Sequence, residues 1–395
     1  MQKILRVSLL FFAAVSSALA ARSRDLGIVE VTAENKTIPV RVSANTSELN
    51  DLALSAFKVH GRYRLTPSGY AYDIKFSAVT GTQVRVDITK GAAVTPFSSD
   101  VVTGRNESDA LLRAADVAVV KTNGLGLKGF FTAKLAFIGG GGGRREIYTS
   151  DLFFRHVTQV THDNALALFP RWSPDGGRLL YTSFYKSGFP DIFQIDLNSY
   201  QRTTFVSFKG TNSSARYSPS GGQVAMVLSG EGTPEIYIAN AQGRQVSRKT
   251  RSDAVKSSPC FSPDGSRLVF AMQPGPQLYV MSTGGGAPSR LVTGFTYAAE
   301  PDWNRVEPNK IVCTVRSGSY QIAVYDFSTG RAEIVSKAPF DGIEASWLAD
   351  GRHVVYTARD RNTSVLCILD TETGKSTPIS PRSFGPAMQA NVWTP

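Results

Sequence analysis

Four histidines, His60, His156, His162 and His353, are the only imidazoles in 395 residues, and no two share a metal-ligand spacing. Zinc-protease chemistry would need His-Glu-x-x-His on one helix, and a serine hydrolase would need a Gly-x-Ser-x-Gly elbow; neither occurs. The five-glycine run Gly139–Gly143 joins two strand patterns instead of opening a helix, so it reads as a slack hairpin loop and not a phosphate cradle. Asp175, Asp264 and Asp350 could suggest calcium, yet each stands where a tight turn needs an aspartate. Cys260, Cys313 and Cys367 are odd in number, lack a Cys-x-x-Cys pair and sit in apolar strand patterns, which predicts buried free thiols. These residue types point to no catalysis, no metal and no cofactor.

The elements carrying them repeat. Phe169-Pro-Arg-Trp-Ser-Pro-Asp-Gly recurs as Ala215-Arg-Tyr-Ser-Pro-Ser-Gly-Gly, as Pro259-Cys-Phe-Ser-Pro-Asp-Gly and as Ala345-Ser-Trp-Leu-Ala-Asp-Gly, with a degenerate copy at Pro301-Asp-Trp-Asn-Arg. The anchors Trp172, Tyr217, Phe261, Trp303 and Trp347 are spaced 45, 44, 42 and 44 residues apart, the period of a four-stranded propeller blade. Within each repeat a strand ends at the anchor, Pro and Gly make the turn, and alternating apolar residues such as Leu179 and Tyr181 begin the next strand. Lys134–Ile138, Glu146–Asp151 and His156–Val160 resemble second, third and fourth strands with no first, while Asn391–Pro395 resembles a first strand with no others. Together they predict a six-bladed β-propeller over residues 128–395, closed by the C-terminal strand in the first blade, with Trp393 as sixth anchor. Closure removes open sheet edges.

Residues 21–127 read as a separate α+β domain. Asn45 or Thr46 caps a helix with Leu49, Leu52, Ala53, Ala56 and Phe57 on one face and Gly61 at its end. Tyr70–Val79 and Thr82–Thr89 alternate as a hairpin; Asn106 or Ser108 opens a second helix; Gly124-Leu-Gly126 is the expected hinge. Residues 1–20 carry Lys3 and Arg6, an apolar run and Ala18-Leu19-Ala20, the form of a cleaved signal peptide, so the mature chain is expected outside the cytoplasm. Nothing beyond it is long and apolar enough to span a membrane. The net charge of +11 is scattered, with no basic run, which argues against nucleic acid and leaves room for acidic partners.

The helix Ala110-Leu-Leu-Arg-Ala-Ala-Asp116, the junction Leu127-Lys-Gly-Phe-Phe-Thr-Ala-Lys-Leu-Ala-Phe137 and the repeated Ser-Pro-Asp-Gly turns resemble the TolB family, over residues 105–395. The resemblance implies a non-catalytic, monomeric periplasmic component of the Tol–Pal envelope system. Its propeller would dock a peptidoglycan-associated lipoprotein over the channel mouth. Its mobile N-terminal peptide, here Ala21–Gly27, would contact an inner-membrane Tol protein, and the system would support outer-membrane integrity and division. The chain departs from the family in a shortened first domain and an irregular fourth turn, Asn304–Lys310. The alternatives are a propeller hydrolase or oligogalacturonate-lyase-like enzyme, which needs a triad or metal cluster, and a carbohydrate-binding propeller.

In a propeller the loops leading into the first strands share one face. They hold His162, Asp163, Asn164, Lys209, Asn212, Asp253, Lys256, Phe295, Tyr297, Phe340, Asp341, Glu344, Arg382 and Phe384, aromatics beside charges that are expected to form the partner-binding rim.

Overall fold

The computed structural model describes residues 37–140, 143–337 and 340–395; the expected signal peptide at residues 1–20 and the segment Ala21–Gly27, expected to be mobile, lie outside them. The chain begins with β1 (Ile38–Ala44), α1 (Ser47–Val59), β2 (Tyr63–Leu65), β3 (Tyr72–Thr80), β4 (Gln83–Lys90), β5 (Ser98–Thr103) and α2 (Glu107–Thr122). The sheet order is β2-β1-β3-β4-β5, with β1 parallel to both neighbours and the rest antiparallel. Thr46 and Asn106 are the caps: their side chains accept from the N–H groups of Leu49 at 3.4 Å and Asp109 at 2.9 Å. The apolar stripe of α1 and residues Leu111, Ala115 and Val119 of α2 are buried against the sheet.

Two glycine readings change. Helix α1 stops at Val59, and Gly61 serves close approach instead of termination: a Cβ there would lie 2.0 Å from the Asp370 carboxylate, in the propeller. The expected hinge Gly124–Gly126 is tied down by buried Asn123. Its Oδ1 accepts from the N–H groups of Leu125 at 2.7 Å and Leu127 at 3.0 Å, while its Nδ2 donates to the carbonyl of Val119 at 2.6 Å.

Six four-stranded antiparallel sheets follow. Blade 2 shows the pattern: Ala167–Trp172 innermost, then Arg178–Ser183, Asp191–Asp196 and Arg202–Val206. The innermost strands of blades 3 to 6 are Asn212–Tyr217, Lys256–Phe261, Ala298–Trp303 and Asp341–Trp347. Blade 1 consists of Ala387–Trp393 paired with Lys134–Gly139, then Glu146–Asp151 and Thr158–Gln159, so the ring is closed by the C-terminal strand. In the turn of blade 2, Ser173 Oγ accepts from the N–H of Arg178 at 2.9 Å, and Gly176 takes the left-handed conformation, φ 70°.

Every innermost strand carries one residue with positive φ: Phe169, Ser214, Ser258, Glu300, Glu344 and Gln389, all between 54° and 58°. At each the pairing with the second strand slips by a residue, a β-bulge repeated around the axis. Three residues beyond the bulge stands the anchor, Trp172 in blade 2 opposite Leu179. In blade 1 that place belongs to Val392, opposite Leu135, and not to Trp393. Trp393 lies one step further and is half-buried. An aromatic is dispensable at the seam's anchor because the next residue supplies the ring that covers Trp172.

Candidate functional site

Each innermost strand runs from the face of the leading loops to the face of the Ser-Pro-Asp-Gly turns. The N-terminal unit packs on the turn face at blades 6 and 1. There Phe57 of α1, Phe130, Phe131, Leu152, Leu348 and Leu366 belong to one continuous buried cluster. The leading-loop face is the opposite one.

On that face His162, Asn164, Lys209, Asp253 and Arg382 are exposed. Asp163 pairs with Arg202 at 2.6 Å, and the Arg202 guanidinium lies 3.9 Å over the ring of Tyr185. Phe295, Tyr297 and Phe340 are half-buried, Tyr297 against Tyr320 at 5.0 Å, and Asp341 accepts from the N–H of Tyr320 at 3.0 Å. Four expected rim residues are placed elsewhere. Asn212 is buried, accepting from the N–H of Phe208 at 2.9 Å and donating to that residue's carbonyl at 2.7 Å, so it shapes its loop from inside. Lys256 is buried and ion-paired with Glu235 at 2.8 Å. Phe384 packs edge-on to Phe137, Tyr148 and Phe154, a wedge inside blade 1. Glu344 is the left-handed bulge residue of blade 6 and lines the central channel. Asn212, Lys256 and Glu344 belong to the innermost strands themselves, where neighbouring strands cover them, and Phe384 ends a short 3-10 turn that folds its ring inward.

Sequence reading missed several exposed aromatics on this face. Phe189 is 67% exposed, Phe208 52% and Tyr185 39%, joined by Val255 at 41%. Tyr185 and Phe189 lie in the loop between the second and third strands of blade 2, while Phe208 and Val255 lead into blades 3 and 4. Exposed Lys186, Lys209 and Arg251 stand in the same loops. An apolar group of this kind with basic neighbours is the composition of an interface. The signal in the sequence is an aromatic in a turn-rich loop: Tyr185 and Phe189 between strand patterns, Phe208 one residue ahead of Lys209.

The central channel is lined by the bulge residues of the innermost strands and by residues one or two places past them. One layer is made by the bulge residues Phe169, Ser214, Ser258, Glu300, Glu344 and Gln389; two residues further on stand Arg171, Arg216, Asp302, Ser346 and Asn391. Arg216 and Asp302 form an ion pair, and Asp302 Oδ2 also accepts from the N–H of Trp347 at 2.8 Å. Burial works against the Asp302 carboxylate, but Arg216 and that N–H hold its pKa below the usual range. Burial pushes Glu344 up to about 7, helped by the charge of Glu300, which burial raises as well. Burial lowers Arg171 to about 10.

Residues 124–395 match the family described as the TolB β-propeller domain. The chain belongs to the TolB β-propeller family. It is 30% identical over 193 residues to a Protein TolB homolog of Chlorobium luteolum, covering 48% of this chain and 44% of that protein. It is 37% identical over 127 residues to the Tol-Pal system protein TolB of Desulfosudis oleivorans, covering 32% of this chain and 28% of that one. The chain therefore spans less than half the length of these curated TolB relatives. The crystal structure of TolB from Acinetobacter baumannii superposes with a TM-score of 0.80 at 22% identity, covering 91% of this chain and 97% of that one, more than the propeller alone.

A second polar cluster of this TolB-family chain is sealed between the N-terminal unit and blade 6. His353 Nδ1 is 2.5 Å from Asp350 Oδ2, and its Nε2 accepts from the N–H of Gly61 at 3.1 Å, which fixes the proton on Nδ1. Arg352 donates twice to Asp370, at 2.9 and 2.6 Å. His60 stacks on Phe130, ring centroids 5.1 Å apart, and accepts at Nδ1 from the N–H of Arg62; its Nε2 has no partner among the described residues. His60, Asp350 and His353 are the one trio of metal-type donors within 4.8 Å of each other among the described residues. Both nitrogens of His353 and the carboxylate of Asp350 are already engaged in hydrogen bonds. The arrangement staples the N-terminal unit to the propeller. Sequence spacing had no means of finding it, because His60 and His353 are separated by about three quarters of the chain.

Proposed function

We propose that this chain is a non-catalytic, periplasmic binding platform of a Tol–Pal-type envelope system. It docks a peptidoglycan-associated lipoprotein on the leading-loop face over blades 2 to 4. The observation that carries this reading is the exposed group Tyr185, Phe189 and Phe208 beside Lys186 and Lys209, on the face the N-terminal unit leaves uncovered. Large aromatics flanked by cations supply both the desolvated contact and the steering that an acidic partner needs. Of the rim residues read from sequence, His162, Asn164, Lys209, Asp253 and Arg382 stay in this proposal, with Asp163, Phe295, Tyr297, Phe340 and Asp341 at its edge.

Export by a cleaved segment at residues 1–20, contact of Ala21–Gly27 with an inner-membrane Tol protein, division into residues 21–127 and 128–395, and a role in outer-membrane integrity and cell division belong to the same reading. The test is direct binding of the host's peptidoglycan-associated lipoprotein, measured by calorimetry. Phe189→Ala, Phe208→Ala and Lys209→Glu together are expected to weaken it at least about 100-fold, since truncated hot-spot aromatics each lose about 2 kcal/mol. Undiminished affinity in a folded triple variant overturns the placement, and absence of any binding by the parent chain overturns the function.

A further inference from the structure

The channel's charges are sorted by layer. Glu300 and Glu344 occupy the bulge-residue layer, while Arg171 and Arg216 stand two residues past it. Arg216 is matched by Asp302. Arg171 is not: it makes no ion pair among the described residues, and its one hydrogen bond there goes to the carbonyl of its neighbour Pro170, at 2.9 Å. A guanidinium has five donors, and one leaning into a cavity with a single backbone acceptor is strongly under-bonded. Glu344 and Glu300 are in the reverse condition. Among the described residues each accepts only from neutral donors: Gln389 Nε2 at 2.8 Å and Thr357 Oγ1 at 3.3 Å for Glu344, Thr314 Oγ1 at 2.7 Å and the N–H of Glu344 at 3.1 Å for Glu300. Burial raises the Glu344 carboxyl and lowers the Arg171 guanidinium, as expected for charges each lacking a counter-ion at contact.

From this geometry we propose that the channel is a binding site for a small zwitterion of the α-amino-acid class, carboxylate on Arg171 and ammonium between Glu300 and Glu344. The arginine layer stands two residues past the left-handed bulge layer that holds the glutamates, and an α-amino acid presents its ammonium and carboxylate at opposite ends of one short molecule. A lone anion satisfies Arg171 but adds repulsion against the two glutamates, and a lone cation does the reverse. Only a ligand carrying both charges relieves both layers. The proposal is independent of lipoprotein docking, which uses the outer loops.

The test is calorimetric titration of the full chain with glycine, with acetate and methylammonium as single-charge probes. Glycine is expected to bind at about 1 mM or tighter, and each single-charge probe at least about tenfold more weakly. Arg171→Gln and Glu344→Gln are each expected to weaken glycine at least about tenfold, and Arg171→Lys, which keeps the charge, to restore part of it. Variants are compared only when their melting temperatures match the parent; where Arg171→Gln fails to fold, Glu344→Gln and Arg171→Lys decide. No glycine binding, acetate or methylammonium binding as tightly as glycine, or indifference to both substitutions in folded protein would each overturn the proposal.

Discussion

The indole of Trp393 lies against that of Trp172, ring centroids 5.8 Å apart, and its Nε1–H donates to the carbonyl of Pro174 at 3.0 Å. The contact joins the closing strand of blade 1 to the first turn of blade 2. Because Trp393 is half-buried where Trp347 is buried, the two truncations separate. Trp393→Ala is expected to lose about 2 kcal/mol and Trp347→Ala about 4 kcal/mol, read from urea unfolding. A Trp393→Ala variant as stable as the parent would mean that the seam contributes nothing.

Gly176 and Gly265 share a left-handed backbone, φ 70° and 73°, in equivalent turns. A Cβ on Gly265 meets nothing within 4 Å, whereas one on Gly176 comes 2.3 Å from the Trp393 ring. Gly265→Ala should lose about 1 kcal/mol from backbone strain alone. Gly176→Ala should lose about 3 kcal/mol by adding overpacking, and most of the excess should vanish in a Trp393→Ala background. Additive losses in that double-mutant cycle would refute the contact.

Burial, then His353, holds His60 well below the ordinary imidazole value, so the folded chain keeps it neutral. The unfolded chain protonates it below about pH 6.5. Stability from this site is therefore complete above that pH and is lost as pH falls toward the folded value, by about 1.4 kcal/mol per pH unit. His60→Phe should flatten this slope between about pH 6.5 and 5. Parallel stability profiles for the two proteins would exclude the mechanism.

Glu344 has the opposite sign. Its folded pKa, about 7, lies above the ordinary 4.5, so its contribution is complete below the lower value and lost as pH rises through the upper. Glu344→Gln should melt higher than the parent at pH 8, by about 2 °C, and alike at pH 4. Equal melting temperatures at pH 8 would show the carboxylate to be well solvated.

Lys256 and Lys209 look alike in sequence, each in a loop leading to a strand. Lys256 sits buried on Glu235 and Lys209 points outward. Lys256→Ala should cost about 3 kcal/mol by taking from buried Glu235 one of its two cations, the other being Arg248 at 3.1 Å, and emptying the buried stem's place; Lys209→Glu should stay within about 0.5 kcal/mol of the parent. Chemical denaturation of the two variants checks the contrast, and similar stabilities would contradict it.

The propeller was readable because most turns announce themselves locally: Pro, Asp and Gly in fixed order shape the corners of blades 2 and 4, close variants those of blades 3 and 6, and the aromatic three residues past the bulge keeps the beat through blades 2 to 6. The bulges themselves were not, since left-handed Phe169, Glu300 and Gln389 share no residue type that marks them. Missing them displaced the last anchor by one residue, from Val392 to Trp393. Lys256, Asn212 and Phe384 were misplaced because burial depends on what crosses from neighbouring strands. The His60–His353 staple depends on the docking of two distant segments. Channel residues Arg171 and Asp302 lie within quoted repeats, yet only their gathering around one axis gives them meaning.

The pairing of Ala387–Trp393 with Lys134–Gly139 joins segments about 250 residues apart. Blades 2 to 6 are built from neighbouring hairpins and can form as each emerges from the ribosome, with little loop-closure entropy to overcome. Blade 1 cannot. Until residue 393 has been synthesised, Lys134–Gly139 is a sheet edge with unpaired backbone groups beside the apolar Leu135, Phe137 and Ile138, a template for pairing with other chains. The interval between translating the second strand of blade 1 and its innermost one is thus the period of greatest aggregation hazard for the nascent chain, and a holdase acting then would shield that edge.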